Sequence, residues 1–78
     1  MTQDKNKRLF RVLRREGFDF VTTVTALLFL SGMTVADLAR ACGKSRSLVH
    51  MTLAGQRDSC EAKQAVADAL EFNPWEQT

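Results

Sequence analysis

The chain has few of the residue types from which catalytic and metal sites are built. It contains two cysteines, Cys42 and Cys60, and one histidine, His50, and these three are not spaced like the ligands of any common zinc motif. No glycine-rich phosphate loop, Cys/His nucleophile pair or cluster of carboxylates is present. We therefore predict no enzymatic activity, no metal and no cofactor. Both thiols are expected to stay reduced, Cys42 in the core and Cys60 at a helix start, which favours a cytoplasmic location.

The chain also lacks an apolar run long enough to cross a membrane, which takes ~20 residues. The basic start followed by VTTVTALLFLSG is similar to a secretory signal peptide. However, Glu16 and Asp19 lie directly before the apolar run, and no small-x-small cleavage site follows it. We therefore predict no membrane partner. A basic amphipathic helix on a membrane surface remains an alternative for residues 1–17.

Internal repeats, low-complexity tracts and strand-like alternation are absent as well. The composition, 45% apolar and 26% charged, is typical of a soluble globular protein. A chain of 78 residues has room for one domain of four or five helices and little else. These features predict an all-α fold.

Helical spacing of apolar residues indicates three helices around a central segment. They run from about 4 to 16, from about 19 to 31 and from about 60 to 71, the last capped by Asp58 or Ser59. A tail, 72–78, follows, because Pro74 stops any continuation of the last helix. Leu27 to Leu30 places four large apolar residues in succession, which no single helix face can hold. The first helix or a second subunit must therefore cover another side of the second helix.

The central segment, 34–55, is predicted to form two short helices joined by a tight turn. Thr34 and Asp37 form a capping-box pattern at the start of the first helix. Gly43 supplies the positive φ that ends it, and Ser45 caps the second helix. The inner face of the first helix is small and apolar, with Val35, Leu38, Ala39 and Cys42. The second helix turns Leu48, Val49, Thr52 and Leu53 inward and Arg46, Ser47, His50 and Met51 outward.

This segment resembles the helix-turn-helix of the phage Cro/repressor class, which includes the lambda repressor-like regulators. The matching residues are Leu38-Ala39, Cys42-Gly43, Ser45-Arg46-Ser47, Val49 and Gly55. Two residues depart from the pattern: Lys44, where an apolar turn residue is usual, and Thr52, where Ile or Leu is usual. From Asp19 onward the chain is most similar to the small Ner-like phage regulators, which also end in an acidic-face helix and a Pro/Trp-containing tail. The resemblance implies a compact lambda repressor-like DNA-binding domain of four to five helices.

The resemblance also implies a transcription regulator, of the repressor type carried by phages and mobile elements, with its second motif helix in the major groove of double-stranded DNA. Arg46 is expected to contact guanine. The further base-reading candidates are Ser47, His50 and Met51. A solvent-facing role for His50 and a packing role for Met51 remain open. The phosphate-binding candidates are Lys44, Ser45, Gln56, Arg57 and, on the first motif helix, Arg40.

Charge is unevenly distributed along the chain. Residues 1–17 carry six basic and two acidic side chains, residues 34–57 four and one, and residues 58–78 one and five, within a net charge of +2. A polyanion is therefore expected to meet the first two regions, and the acidic last helix should lie on the far side. The basic N-terminal residues either pack as a helix or form an arm on DNA phosphates. They are Lys5, Lys7, Arg8, Arg11, Arg14 and Arg15.

A homodimer on an inverted repeat is expected, because one small module buries too little surface to select a site in a genome. The interface could involve Phe72, Trp75, or the pair Phe29 and Leu30, and the sequence does not choose among them. Such a regulator would be cytoplasmic, associated with the nucleoid through DNA. The alternative function is a protein-interaction module, such as an antitoxin or antirepressor, with the same helical fold.

Overall fold

Five α-helices and one short 3-10 helix form the part of the chain that the structure describes, residues 2–77 of a computed structural model. No β-strand is present in this range. The all-α prediction is therefore confirmed. The elements are α1 (Thr2–Arg15), α2 (Phe20–Leu30), α3 (Val35–Cys42), α4 (Arg46–Leu53), α5 (Cys60–Leu70) and the 3-10 helix Pro74–Gln77.

Side-chain caps define where the outer helices begin. At the start of α2, a carboxylate oxygen of Asp19 accepts a hydrogen bond from the backbone N–H of Thr22 at 2.7 Å, and this bond holds the pKa of Asp19 below its ordinary value. At the start of α5, Ser59 rather than Asp58 is the cap, with its Oγ accepting from the N–H of Ala62 at 3.2 Å. The Asp58 carboxylate instead pairs with Lys63, at 2.9 Å.

The core is built around α2, α4 and α5. The large side chains on the inner stripe of α2 are fully buried, and α4 and α5 pack against them. Small alanines on α5 let the helices approach closely. The buried apolar residues contributed by α2 are Val24, Leu27 and Leu28, those of α4 are Val49 and Leu53, and those of α5 are Ala62, Val66 and Leu70.

The basic N-terminal segment packs as a helix on α2, α5 and the 3-10 helix, which is the first of its two predicted roles. Contact of its cations with DNA phosphates stays a prediction. Phe10 is only 2% exposed. Its ring makes edge contacts with Phe20 at 5.9 Å and with Phe72 at 5.7 Å between centroids. Phe72 is thus a core residue, 5% exposed, and cannot serve as a dimer contact. Trp75 is half-buried, with its ring 5.3 Å from that of Phe20.

A buried asparagine joins the two ends of the chain. The Nδ2 group of Asn6 donates a hydrogen bond of 2.9 Å to the carbonyl oxygen of Leu70. This carbonyl lies at the C-terminal end of α5, where the helix stops because Glu71 adopts a positive φ of 63°. Asn6 therefore satisfies a carbonyl group that no helical N–H can reach.

We expect Asn6→Ala to lower the free energy of unfolding by about 1–3 kcal/mol, because it leaves a buried carbonyl without a donor. Urea denaturation followed by circular dichroism measures the change. Arg8→Ala is the control, since Arg8 lies on the same helix and is exposed; it should shift the stability by less than about 0.5 kcal/mol. Equal effects of the two substitutions would contradict the role given to the Asn6 hydrogen bond.

None of the described helices alone is both long and apolar enough to cross a bilayer. Two successive helices, Phe20–Leu30 and Val35–Cys42, would together be long and apolar enough by length and composition only, but they are bent by 85° relative to each other.

Candidate nucleic-acid interface

The helices α3 and α4 are joined by a three-residue turn of Gly43, Lys44 and Ser45. Gly43 lies in the left-handed region at φ 69°, and the N–H of Lys44 donates to the carbonyl oxygen of Ala39 at 2.9 Å. A Cβ added at Gly43 would meet nothing within 4 Å, so the backbone conformation and not lack of space requires glycine here. Ala39 is 5% exposed, and this small residue lets α3 pack closely on α4 and α5.

Both predicted caps of the helix pair are confirmed. Thr34 and Asp37 form a reciprocal capping box, in which the N–H of Thr34 donates to Asp37 at 2.9 Å and the N–H of Asp37 donates to Thr34 at 3.2 Å. These bonds hold the pKa of the Asp37 carboxyl below its ordinary value. Ser45 Oγ accepts from the N–H of Leu48 at 3.1 Å and so fixes the start of α4.

The unusual Thr52 is accommodated in the core. It is 2% exposed, and its hydroxyl donates to the carbonyl oxygen of Leu48 at 2.8 Å within the same helix. The polar group is therefore satisfied without a partner from another helix. Val49 and Leu53 are buried as predicted, and Leu48 is half-buried.

The outward face of α4 is polar and open to solvent. Arg46, Ser47 and His50 are exposed, and their side chains form no hydrogen bond or ion pair with any described residue. Arg46 and His50 lie one helical turn apart, so they project side by side. Met51 is half-buried, so its side chain is partly exposed, as its predicted outward position requires, and partly packed, which was the alternative role.

Lys44 forms an ion pair with the first turn of the acidic helix α5. Its Nζ lies 2.9 Å from a carboxylate oxygen of Glu61. The pair raises the pKa of Lys44 and lowers that of Glu61. The expectation that the acidic helix lies wholly on the far side is therefore wrong at this point. The sequence offers no signal for this contact, because the two residues lie on separate elements and meet only when α5 packs on α3 and α4.

The loop after α4 presents Gln56 and Arg57 to solvent. The backbone N–H groups of both residues donate to the carbonyl oxygen of Met51, at 2.8 Å and 3.3 Å, which holds the loop against the end of α4. The neighbouring Asp58 is paired with Lys63, whose Nζ also lies 5.7 Å from the centre of the Trp75 ring. Lys63 thus partly neutralises the negative charge of Asp58 beside Arg57. The sequence does not indicate this role of Lys63.

The remaining predicted phosphate contacts occupy separate places. Arg40 is exposed but forms an ion pair with Asp37 on its own helix. The cations of α1 are mostly exposed, but α1 packs chiefly on α2, α5 and the 3-10 helix rather than on α4. The structure therefore brings Lys44, Ser45 and Arg46 together at one end of α4 and Gln56 and Arg57 at the other, and leaves the α1 cations as a separate basic surface.

Both cysteines lie close to the positions predicted for them. Cys42 is half-buried and packs against the core rather than within it, and Cys60 is exposed at the first position of α5. Among residues 2–77, no three His, Cys, Asp or Glu side chains are grouped so that they could hold a metal ion.

Comparison of the chain with protein-family models, with curated proteins and with solved structures gives no match.

Proposed function

We propose that the protein is a sequence-specific transcription regulator that binds double-stranded DNA through α4, with α3 and α4 acting as a helix-turn-helix of the lambda repressor-like, Ner-like phage type. The supporting observation is the outward face of α4, where Arg46, Ser47 and His50 are exposed and have no partner among the described residues, on a helix that is capped by Ser45 and packed through Val49 and Leu53. Neither α4 nor the turn before it contains an acidic residue that would repel a phosphate.

In this proposal α4 lies in the major groove and its first turn reads base edges. Arg46 donates two hydrogen bonds to the O6 and N7 atoms of a guanine, a contact that discriminates between bases by ~1–3 kcal/mol. His50, one turn further along the same face, contacts the next base or its phosphate. Ser47 and Met51 share a second line of the helix, where the hydroxyl suits a base edge and the thioether suits a thymine methyl group.

Phosphate contacts on both sides of the groove would then position α4. The hydroxyl of Ser45 still has its hydrogen available after its oxygen has capped the helix, so it can donate to a phosphate. At the other end, Gln56 and Arg57 extend from the loop that follows α4. Lys44 reaches a phosphate by exchanging its partner Glu61 for the DNA, a surface exchange of low cost. Arg40 and the α1 cations add to the attractive field around the protein.

Binding to duplex DNA measured against salt concentration tests the proposal. A protein that neutralises phosphates releases counterions, so the logarithm of the affinity falls with the logarithm of salt by about 0.9 per phosphate. With Lys44 and Arg57 as the charged contacts, we expect a slope of roughly −2 for each protein chain bound. Circular dichroism at each salt concentration is the control for folding. Absent or salt-independent binding across a random duplex library would reject the proposal.

A further inference from the structure

Two consecutive large apolar side chains at the end of α2 lie uncovered. Phe29 is 75% exposed and Leu30 is 69% exposed, compared with 42% for Val12 and 47% for Phe18. The preceding Leu27 and Leu28 are fully buried, so α2 has an apolar face on both sides and the fold covers only one. Adjacent exposed apolar residues of this size are typical of surfaces that bind a partner.

An apolar groove adjoins this pair. It runs between α3 and α5 from Met33 to Cys42 and Cys60. Its apolar walls include Leu38, Ala65 and Ala69, and the exposed Glu61, Gln64 and Asp68 also line it. Met33 and Ala69 also line a second hollow, which reaches Leu30 and Leu9. Leu30 and the groove therefore belong to one continuous surface, and Phe29 is the exposed neighbour of Leu30 on α2. We call this the α2-end surface: Phe29, Leu30, Met33 and the groove walls Leu38, Ala65 and Ala69.

We propose that the α2-end surface is the interface between two copies of this chain; the inference rests on the proposed function, which needs two recognition helices. A two-fold contact requires one self-complementary patch on both subunits. The α2-end surface meets this requirement because the protrusion and the groove lie on the same face. Phe29 and Leu30 of each copy can enter the groove of the other.

The size of the surface also favours a second copy as its occupant. Phe29 alone presents roughly 150 Å², whereas a stable interface buries about 800 Å² from each partner. The exposed pair is thus too small by itself and needs the groove, which two identical chains supply to each other. The rim carries both signs of charge: Lys5 and Glu71 line the hollow beside Leu30, and the acidic Asp68 and Glu61 line the groove, where Glu61 is paired with Lys44. A two-fold contact can therefore place Lys5 of each copy against an acidic side chain of the other.

Sedimentation equilibrium of the full chain, without DNA and with a duplex that carries two half-sites, tests the inference. We expect the wild type to form a dimer or to fill the two half-sites cooperatively. The double variant Phe29→Ser/Leu30→Ser should weaken this association on the order of 100-fold or more, because both copies lose apolar contacts. The matched control is Val12→Ser/Phe18→Ser, which removes two other exposed apolar side chains and should leave the association unchanged.

Circular dichroism should show the same helix content for all variants, since every substituted residue is exposed. The inference is overturned if the wild type stays monomeric both in solution and on DNA, or if the double variant associates like the wild type. It is also overturned if the double variant loses only the binding of a different protein or of lipid vesicles. Binding to a duplex with a single half-site distinguishes the two proposals. If the protein is a monomer and binds this duplex, the proposed function stands and the interface is rejected. If the protein is a dimer and binds no duplex, the interface stands and the proposed function is rejected.

Discussion

Phe10→Ala is expected to lower the free energy of unfolding by roughly 3–5 kcal/mol, the largest effect of any substitution considered for this protein. The Phe10 ring is almost completely buried and contacts the rings of both Phe20 and Phe72. Alanine would leave a cavity between α1, α2 and the C-terminal end of the chain, and α1 would lose its main apolar contact. At 0.05–0.15 kcal/mol per residue, a domain of this size has roughly 4–12 kcal/mol of stability in total, so the variant would be close to unfolding.

Urea denaturation followed by circular dichroism measures this loss. Val12→Ala is the matched control, since it also truncates an apolar side chain of α1 but at a position 42% exposed. Its effect should stay below about 1 kcal/mol. A loss below 1 kcal/mol for Phe10→Ala would show that α1 does not contribute to the core.

Arg46→Ala is expected to remove base preference at one position of each half-site. If Arg46 makes a bidentate contact with guanine, its loss removes ~1–3 kcal/mol of discrimination, about 5- to 150-fold in relative affinity. Stability should hardly change, because Arg46 is exposed and has no partner within the described part of the chain. Selection of bound sites from random duplexes, repeated with wild type and variant, measures the preference position by position.

Arg57→Ala should behave differently, because a phosphate contact carries no sequence information. We expect it to weaken binding to all duplexes by a similar factor and to reduce the salt slope by about 1 per chain. Arg8→Ala is the control for the loss of one positive charge away from α4. Arg8 is an exposed cation on α1, and α1 packs chiefly on other helices. If Arg46→Ala and Arg57→Ala produced the same uniform loss, α4 would not be reading bases.

The two proposals use side chains on either side of α3. The proposed base-reading residues follow its C-terminal end in α4, whereas the exposed pair Phe29 and Leu30 precedes its N-terminal end in α2. Loss of the dimer should therefore leave the outward face of α4 intact and change only whether one or two copies of α4 bind the DNA together. Since a single module of this size selects a site poorly, the dimer would supply most of the specificity in a genome.

Helix boundaries could be predicted closely because the signals that define them are local. The caps of α2, α3 and α4 are side chains that bond to a backbone N–H three residues away, and Gly43 ends α3 through its own φ. Outward positions on α4 follow in the same way from helical periodicity, which depends on nothing outside the helix. The sequence could not choose between Asp58 and Ser59 as the cap of α5; in the structure Ser59 is the cap and Asp58 pairs with Lys63.

Contacts between distant segments could not be predicted. Asn6 meets the carbonyl oxygen of Leu70 across a separation of 64 residues, and Lys44 meets Glu61 only because α5 packs beside the turn. No periodicity or spacing encodes either pair. For the same reason the sequence placed the acidic helix away from the basic surface, whereas the structure puts its first turn against Lys44.

The sequence by itself determined the all-α class, the helix pair with its caps and the residues that α4 turns outward, because these depend on interactions over three or four residues. Only the tertiary structure decided which large apolar residues are covered. Phe72 is 5% exposed and Phe29 is 75% exposed, although both are phenylalanines close to a helix end. The physical reason is that burial depends on which other helices pack over a side chain, and α1 covers Phe72 but leaves Phe29 open.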